Sequence, residues 1–371
     1  MKIARIRWTA YRVPFCAAYT TSHGSVTHRE GLLLELSTAE GLAGLGEAAP
    51  TPEIGIGGEV LARTFATVAG GFVGLELDRM SGEALSRLHD DAGQAALACA
   101  VDTAVCDLLA QSQGISLARF LRTGAASSVD VNALVTQPDV VEAARAAAAA
   151  RDAGYRTVKL KAGMAEEMTE ECARVAGVRK AIQPDVKLRL DPNGAWTIAT
   201  AMEALGAMAP LDIEYVEQPM APGNLEAMRY LQERVAIPIA VDEDLTDLEA
   251  ARRIIQTGGA RVLILKPQRL GGLRACLPII EAARAAGLAC VVTTSIEAGI
   301  GTAACLQLAA ALPAGSPACG LATASLLESD LTNAAIPIVN GSMRLPDAPG
   351  LGVHLDESAL ARYTDGWHEV S

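Results

Sequence analysis

The chain has 371 residues, of which 50% are apolar and 20% charged, with a formal net charge of −12. Such a composition allows two domains and a large core and excludes a disordered chain. The acidic balance argues against nucleic acid or an anionic membrane as the main partner.

The start, MKIARIRWTAYRVPF, alternates like a strand and lacks the apolar block of a signal peptide. No uninterrupted apolar stretch approaches the roughly 18 residues of a membrane span. A cytoplasmic location is the expectation. Residues 2–13 and 31–38 read as strands, with TTSHGSVTHRE between them as a loop. GLAGLGEAAPTPE follows as a Gly/Pro-rich loop, and two or three helices come next. The clearest helix starts at Ala95 and closes on Gly114. Its acids Asp102 and Asp107 lie in an apolar sequence and are expected to be buried structural partners. Strands followed by helices make residues 1–125 an α+β domain.

From about Val129 the chain alternates. Strand candidates are 129–135, 157–161, 187–191, 213–217, 239–243, 261–266, 289–295 and 318–323, with amphipathic helices between them. Eight such steps over residues 126–330 predict an α/β fold, a (β/α)8 barrel or a near variant. An open doubly wound sheet is the alternative, but the Gly-rich phosphate loop it wants after its first strand is missing. Residues 331–371 read as a hairpin and turns that leave the barrel and return to the N-terminal domain. The eight cysteines form no CxxC pair, so neither a zinc site nor a disulfide framework is indicated.

The chemistry lies at the strand ends. Lys161, Asp191, Glu217, Asp242 and Lys266 follow one another in steps of 30, 26, 25 and 24 residues, nearly one β/α unit apart. In a parallel barrel, strand ends converge on the catalytic face. Asp191, Glu217 and Asp242 form an oxygen-only set that suits Mg²⁺, with Mn²⁺ as a substitute. Lys159 and Lys161, two apart on one strand, point the same way into the barrel. Desolvation and a neighbouring positive charge favour a neutral amine there, so Lys161 is the candidate base and Lys159 its assistant. Lys266 enters from the opposite side. Asn193 and Glu243 are expected to support the metal ligands. Glu297, just past the seventh strand, and His23 and Ser25, between the first two strands, are candidates for touching substrate; Arg29 lies in that same stretch. A lysine nucleophile forming a Schiff base is a rival reading, but it leaves three strand-end acids unexplained.

The ordered set of motifs resembles the enolase superfamily in its muconate-lactonizing-enzyme subgroup, over essentially the whole chain. The motifs are the Lys159-Leu160-Lys161 strand, the Asp191/Glu217/Asp242 ligands, Lys266 and the returning tail. The resemblance implies a modified (β/α)7β barrel, an N-terminal capping domain completed by the tail, and Mg²⁺. A lysine base beside Mg²⁺ is an established property of that superfamily. It also implies removal of a proton next to a carboxylate to give an enediolate, and homo-oligomers acting on a small carboxylate. TTSIEAGIG followed by CGLATASLL looks most like o-succinylbenzoate synthases, which serve menaquinone synthesis. The alternatives within the subgroup are N-succinylamino acid racemisation, dipeptide epimerisation and muconate cycloisomerisation. Dipeptide epimerases look for Asp-x-Asp near the eighth strand; Gly320-Leu321-Ala322 stands there, which counts against a free amine in the substrate. Asp244 and Pro192 depart from the residues common in the family.

Overall fold

The computed structural model describes residues 1–21, 24–77, 92–165 and 167–371. Strands β1 (Ile3–Thr21) and β2 (Gly24–Thr38) form a long antiparallel hairpin, paired from Ile3↔Thr38 to Thr21↔Gly24. The described part of the segment expected as a loop, residues 20–21 and 24–30, is therefore extended. Its Thr and Val residues favour a pleated chain, and the register pairs Tyr19 with Val26 and Thr20 with Ser25. A register shift between Pro14 and Tyr19 interrupts the ladder, where proline has no N–H to give.

The expected Gly-rich loop is also in part a strand, β3 (Ala43–Ala48), paired with β2. Helices α1 (Gly58–Ala69), α2 (Ala92–Ser112) and α3 (Leu117–Leu121) complete this cap. The glycines of β3 are there for close approach. A Cβ on Gly44 would lie 2.2 Å from the Ala104 carbonyl oxygen, and one on Gly46 would lie 2.0 Å from that of Ala100. Helix α2 thus rests directly on the strand backbone. Its apolar segment Gly93–Ser112 is long enough to cross a membrane but is 83% buried within the protein. Such a helix is apolar all round because it packs on all sides. Its two acids are satisfied: Asp102 accepts from the Arg274 backbone and guanidinium, and Asp107 from the backbone N–H groups of Leu45 and Leu351. Trp8, Phe65 and Phe72 fill the cap core, where each buried aromatic contributes about 1.5–3 kcal/mol.

After β4 (Ser128–Asp130), the barrel runs β5 (Ala133–Val135), α4 (Val140–Asp152), β6 (Thr157–Lys161), α5 (Met168–Ile182), β7 (Lys187–Asp191), α6 (Ile198–Met208), β8 (Ile213–Glu217) and α7 (Leu225–Gln232). It continues with β9 (Ile239–Val241), α8 (Leu248–Thr257), β10 (Val262–Leu265), α9 (Pro267–Leu270), α10 (Leu273–Ala285), β11 (Ala289–Val292) and α11 (Gly299–Ala310). Strands β5 to β11 form one parallel sheet in chain order. The expected eighth strand contributes only the bridges Val131↔Cys319 and Thr293↔Gly320, and these close the ring. No α-helix of the βα series follows it among the described residues, which makes this the (β/α)7β variant.

Below the catalytic end, the fully buried Arg189 fills the barrel interior. Its guanidinium donates to Glu214 at 2.5 Å and to the Ala318 carbonyl at 2.7 Å, and it lies 4.6 Å from the Tyr215 ring centre. A register shift between β7 and β8 beside Glu214 accompanies this pairing. A charge buried so deeply is tolerated because it is paired.

The tail forms the hairpin β12 (Ile338–Val339) and β13 (Ser342–Arg344), and β13 pairs with β4. Its turn residues Asn340 and Gly341 both have positive φ, as a two-residue hairpin turn requires. Helix α12 (Glu357–Tyr363) then leads to β14 (His368–Val370), which pairs antiparallel with β1 as the outer strand of the cap.

Candidate active site

A cavity of about 290 Å³ opens at the C-terminal end of the barrel strands. Its floor carries Lys159, Lys161, Asp191, Asn193, Glu243 and Lys266. Tyr19 of β1 and the Thr51–Ile54 segment after β3 bring the cap to its rim. The volume lies at the small end of ligand pockets and suits a small metabolite.

The lysines and acids meet as the spacing predicts. Lys161 donates to Asp191 Oδ2 at 2.8 Å and to Asn193 Oδ1 at 2.6 Å. Lys159 lies 2.8 Å from the same Asp191 oxygen and 2.6 Å from Glu217 Oε1. Lys266 reaches Asp242 Oδ2 at 2.6 Å. Asn193 adopts φ +49°, which lets its backbone N–H return to Asp191 Oδ1 while its amide faces Lys161. The Asn193 amide also donates to Glu243 at 3.4 Å.

Burial pushes both lysines down, but Asp191 and Glu217 hold Lys159 well above the usual lysine value, and Asp191 raises Lys161. Carboxylates within hydrogen-bond reach thus favour the charged form of both amines, against the burial that disfavours it. The acids divide accordingly. Burial opposes ionisation of Asp191 and Asp242, yet Lys159 and Lys161 lower the first, and Arg269 and Lys266 lower the second. Glu217 is pushed up to about 7, by burial and then by Asp191.

The donor set fits a hard divalent cation. All three carboxylates are buried, oxygen is the only ligand type, and Glu217 Oε2 has no hydrogen-bond partner. A buried carboxylate that is raised and half unsatisfied lacks positive charge. Among the described residues no three acids, histidines or cysteines close around one point tightly enough to ligate an ion, and Lys159 Nζ lies between Asp191 and Glu217.

Several residues of the site were not singled out by sequence reasoning. Arg269 donates to the carbonyl and to Oδ1 of Asp242, at 2.7 and 2.8 Å. It stands three residues after Lys266, on the short α9, and that one-turn spacing was its only signal. The buried Gln218 receives the Asp242 N–H at 3.1 Å and donates to Asp244, which also accepts the Gly223 N–H. Asp244 thereby ties the β8 loop to the β9 end. Thr293, Thr294 and Ser295 line the wall past β11.

Of the three residues expected to touch substrate, the two that are described lie outside the cavity lining. Glu297 is fully buried behind the wall and absent from the cavity lining; its Oε2 accepts the Ser295 N–H at 2.6 Å. Ser25 lies exposed on β2, paired with Thr20, and does not line the cavity. His23 lies outside the described residues. Arg29, from the same stretch, is buried against the barrel.

Comparison with known proteins follows the same lines. Residues 4–121 match the mandelate racemase / muconate lactonizing enzyme N-terminal domain, and residues 142–359 match the enolase C-terminal domain-like family. An o-succinylbenzoate synthase of Thermobifida fusca is 39% identical over 235 residues, 63% of this chain and 70% of that protein. A hydrophobic dipeptide epimerase of Enterococcus faecalis is 30% identical over 361 residues, covering 95% and 99% of the two chains. A crystal structure of a dipeptide epimerase from that organism, complexed with Mg and the dipeptide L-Leu-L-Tyr, superposes with a TM-score of 0.87 at 28% identity, covering 95% of this chain and 99% of that one.

Proposed function

The chain belongs to the enolase superfamily, in its mandelate racemase / muconate lactonizing enzyme group, and on that premise we propose that it is an o-succinylbenzoate synthase. Its relatives are lyases, isomerases and racemases, and it is an enzyme of that kind. The observation that carries the proposal is the convergence of Lys161, Lys266 and Asp191 on one cavity whose eighth-strand wall is Gly320 and Ala322, with Glu217 and Asp242 hydrogen-bonded to the lining lysines Lys159 and Lys266.

In this reading Asp191, Glu217 and Asp242 hold Mg²⁺, and Mn²⁺ can replace it. When bound, Mg²⁺ supplies positive charge that stabilises the doubly charged enediolate of a carboxylate substrate. Lys161, acting in its neutral form, removes the α-proton of the cyclohexadiene carboxylate; Asp191, which favours the charged amine here, would instead be committed to Mg²⁺. Lys266, on the opposite side of the cavity floor, stabilises the negative charge that develops. Protonated Lys161 then assists departure of hydroxide as water, leaving the aromatic product. Lys159 keeps Asp191 and Glu217 in place, and Asn193 orients the Lys161 amine. Asp242 is set between Lys266 and Arg269. The reaction serves menaquinone synthesis in the cytoplasm.

The wall of the cavity supports this substrate over a dipeptide. No carboxylate stands at Gly320 or Ala322 to meet an ammonium group. Gly320 also has no room for one, because a Cβ there would lie 2.8 Å from the Thr293 methyl. Racemisation of N-succinylamino acids is the second reading, favoured by the same acid-free strand end. Turnover of the o-succinylbenzoate precursor with Mg²⁺, lost in Lys161→Ala and on chelation, is the expected result. α-Proton exchange on N-succinylamino acids without precursor turnover would transfer the assignment to the racemase. Exchange on unblocked dipeptides would refute the argument from Gly320.

A further inference from the structure

We infer that Arg29 and Glu47 of the cap are positioning residues for substrate selection, holding the Ser295–Ile296 turn that forms one wall of the cavity. The inference rests on the proposed reaction for its kinetic readout, though not for its geometry.

Ile296 lines the cavity with φ +62°, a conformation that costs a β-branched residue heavily and persists only where neighbours enforce it. The enforcing contacts come from three cap strands. Arg29 of β2, only 2% exposed, donates its Nε–H to the Ile296 carbonyl at 2.7 Å. Its Nη1 donates to the Glu30 carbonyl at 2.9 Å, which fixes the guanidinium against its own strand. Glu47 of β3, 1% exposed, accepts the N–H groups of Ala298 and Gly301 at 2.7 Å each, at the start of α11. Tyr11 of β1 donates its hydroxyl to Glu47 Oε1 at 2.6 Å. A cap carboxylate thus satisfies the otherwise free N–H groups of a barrel helix.

The same cap strand is registered to the catalytic lysine. Gln268, two residues after Lys266, donates to the Glu47 carbonyl at 2.9 Å and accepts the Ala49 N–H at 2.8 Å. Immediately beyond, Thr51, Pro52 and Ile54 line the cavity. The distance between the cap wall, the Ile296 wall and Lys266 is therefore set by one buried hydrogen-bonded unit. None of Arg29, Glu47 and Gln268 lines the cavity, so they act through the residues they hold.

The test is steady-state dehydration of the o-succinylbenzoate precursor by wild type, Arg29→Met, Arg29→Lys, Ile296→Gly and the Arg29→Met/Ile296→Gly double variant. Amide hydrogen exchange of residues 293–301 is measured alongside. Arg29→Met is expected to raise KM at least tenfold while kcat changes less than threefold, and to speed exchange in 293–301 but not in 187–191. Arg29→Lys, which keeps a charged donor, should recover most of the loss. Glycine takes up the φ of Ile296 without strain, so Ile296→Gly should raise KM by itself and the double variant should add little. Unchanged exchange and unchanged KM in Arg29→Met would overturn the inference, as would an equal loss in kcat and KM that lysine does not rescue. If wild type fails to turn over the precursor, the proposed reaction falls. The exchange measurement still decides the positioning role: faster exchange in 293–301 sustains it and unchanged exchange overturns it.

Discussion

Glu297→Gln should remove a pH dependence of stability that the wild type carries between pH 4.5 and 7. Glu297 is fully buried, and burial, reinforced by the neighbouring Glu47, pushes its carboxyl from an ordinary 4.5 up to about 7. A carboxyl whose folded value lies above its unfolded one binds its proton more tightly in the folded protein. Its contribution is therefore complete below pH 4.5 and is lost as pH rises through 7. The size of the displacement corresponds to about 3 kcal/mol. Glutamine is isosteric, still accepts the Ser295 N–H through its amide oxygen, and does not titrate. Denaturant unfolding from pH 4 to 8 should show the wild type losing about 3 kcal/mol relative to the variant, mostly between 4.5 and 7. Parallel curves for the two proteins would refute the reasoning, because they would mean that Glu297 ionises as easily folded as unfolded.

Lys161→Ala should slow α-proton removal by about 10²–10⁴-fold, measured as loss of substrate proton into deuterated water, while Mg²⁺ still raises the melting temperature. Mg²⁺ at about a hundred times its dissociation constant should stabilise the wild type by about 2.7 kcal/mol in thermal melts; Glu217→Gln should abolish most of that gain. Gly46→Ala, whose new Cβ would meet the Ala100 carbonyl, should destabilise the protein by about 1–3 kcal/mol or more in denaturant unfolding, and an unaltered midpoint would show that α2 can shift.

The barrel and its acids were legible because each of those strands ends a short apolar run with a polar residue whose direction follows strand parity. Lys159, Lys161, Asp191 and Glu217 lie within regular strands, and Asp242 and Lys266 directly after them, so spacing alone brought them together. Glu297 was placed by the same logic, but its chain is no longer a strand. The positive φ of Ile296 turns the backbone before it, and the side chain goes behind the wall instead of into the cavity. Arg269 was hidden because a helix, not a strand end, carries it. In β3, glycines that read as loop residues are there because a helix backbone covers them, a fact that belongs to tertiary packing. The burial of the lysines was visible in the pattern, but the distance from each amine to its carboxylates was not.

Strand β14 has a consequence for biosynthesis. It pairs Val370, Glu369 and His368 with Ile6, Arg7 and Trp8, and its His368 ring stacks on Trp8 at 5.6 Å. The ribosome makes β1 early and β14 only after the entire barrel. Until then the outer side of β1 offers unpaired backbone groups to any passing strand. The nascent cap is consequently a three-stranded sheet with an open edge, sealed by residues translated more than three hundred positions later. Arg5 and Arg7 lie along that edge, paired with Glu35 of β2. Charged side chains at an open edge discourage pairing with other chains during the wait.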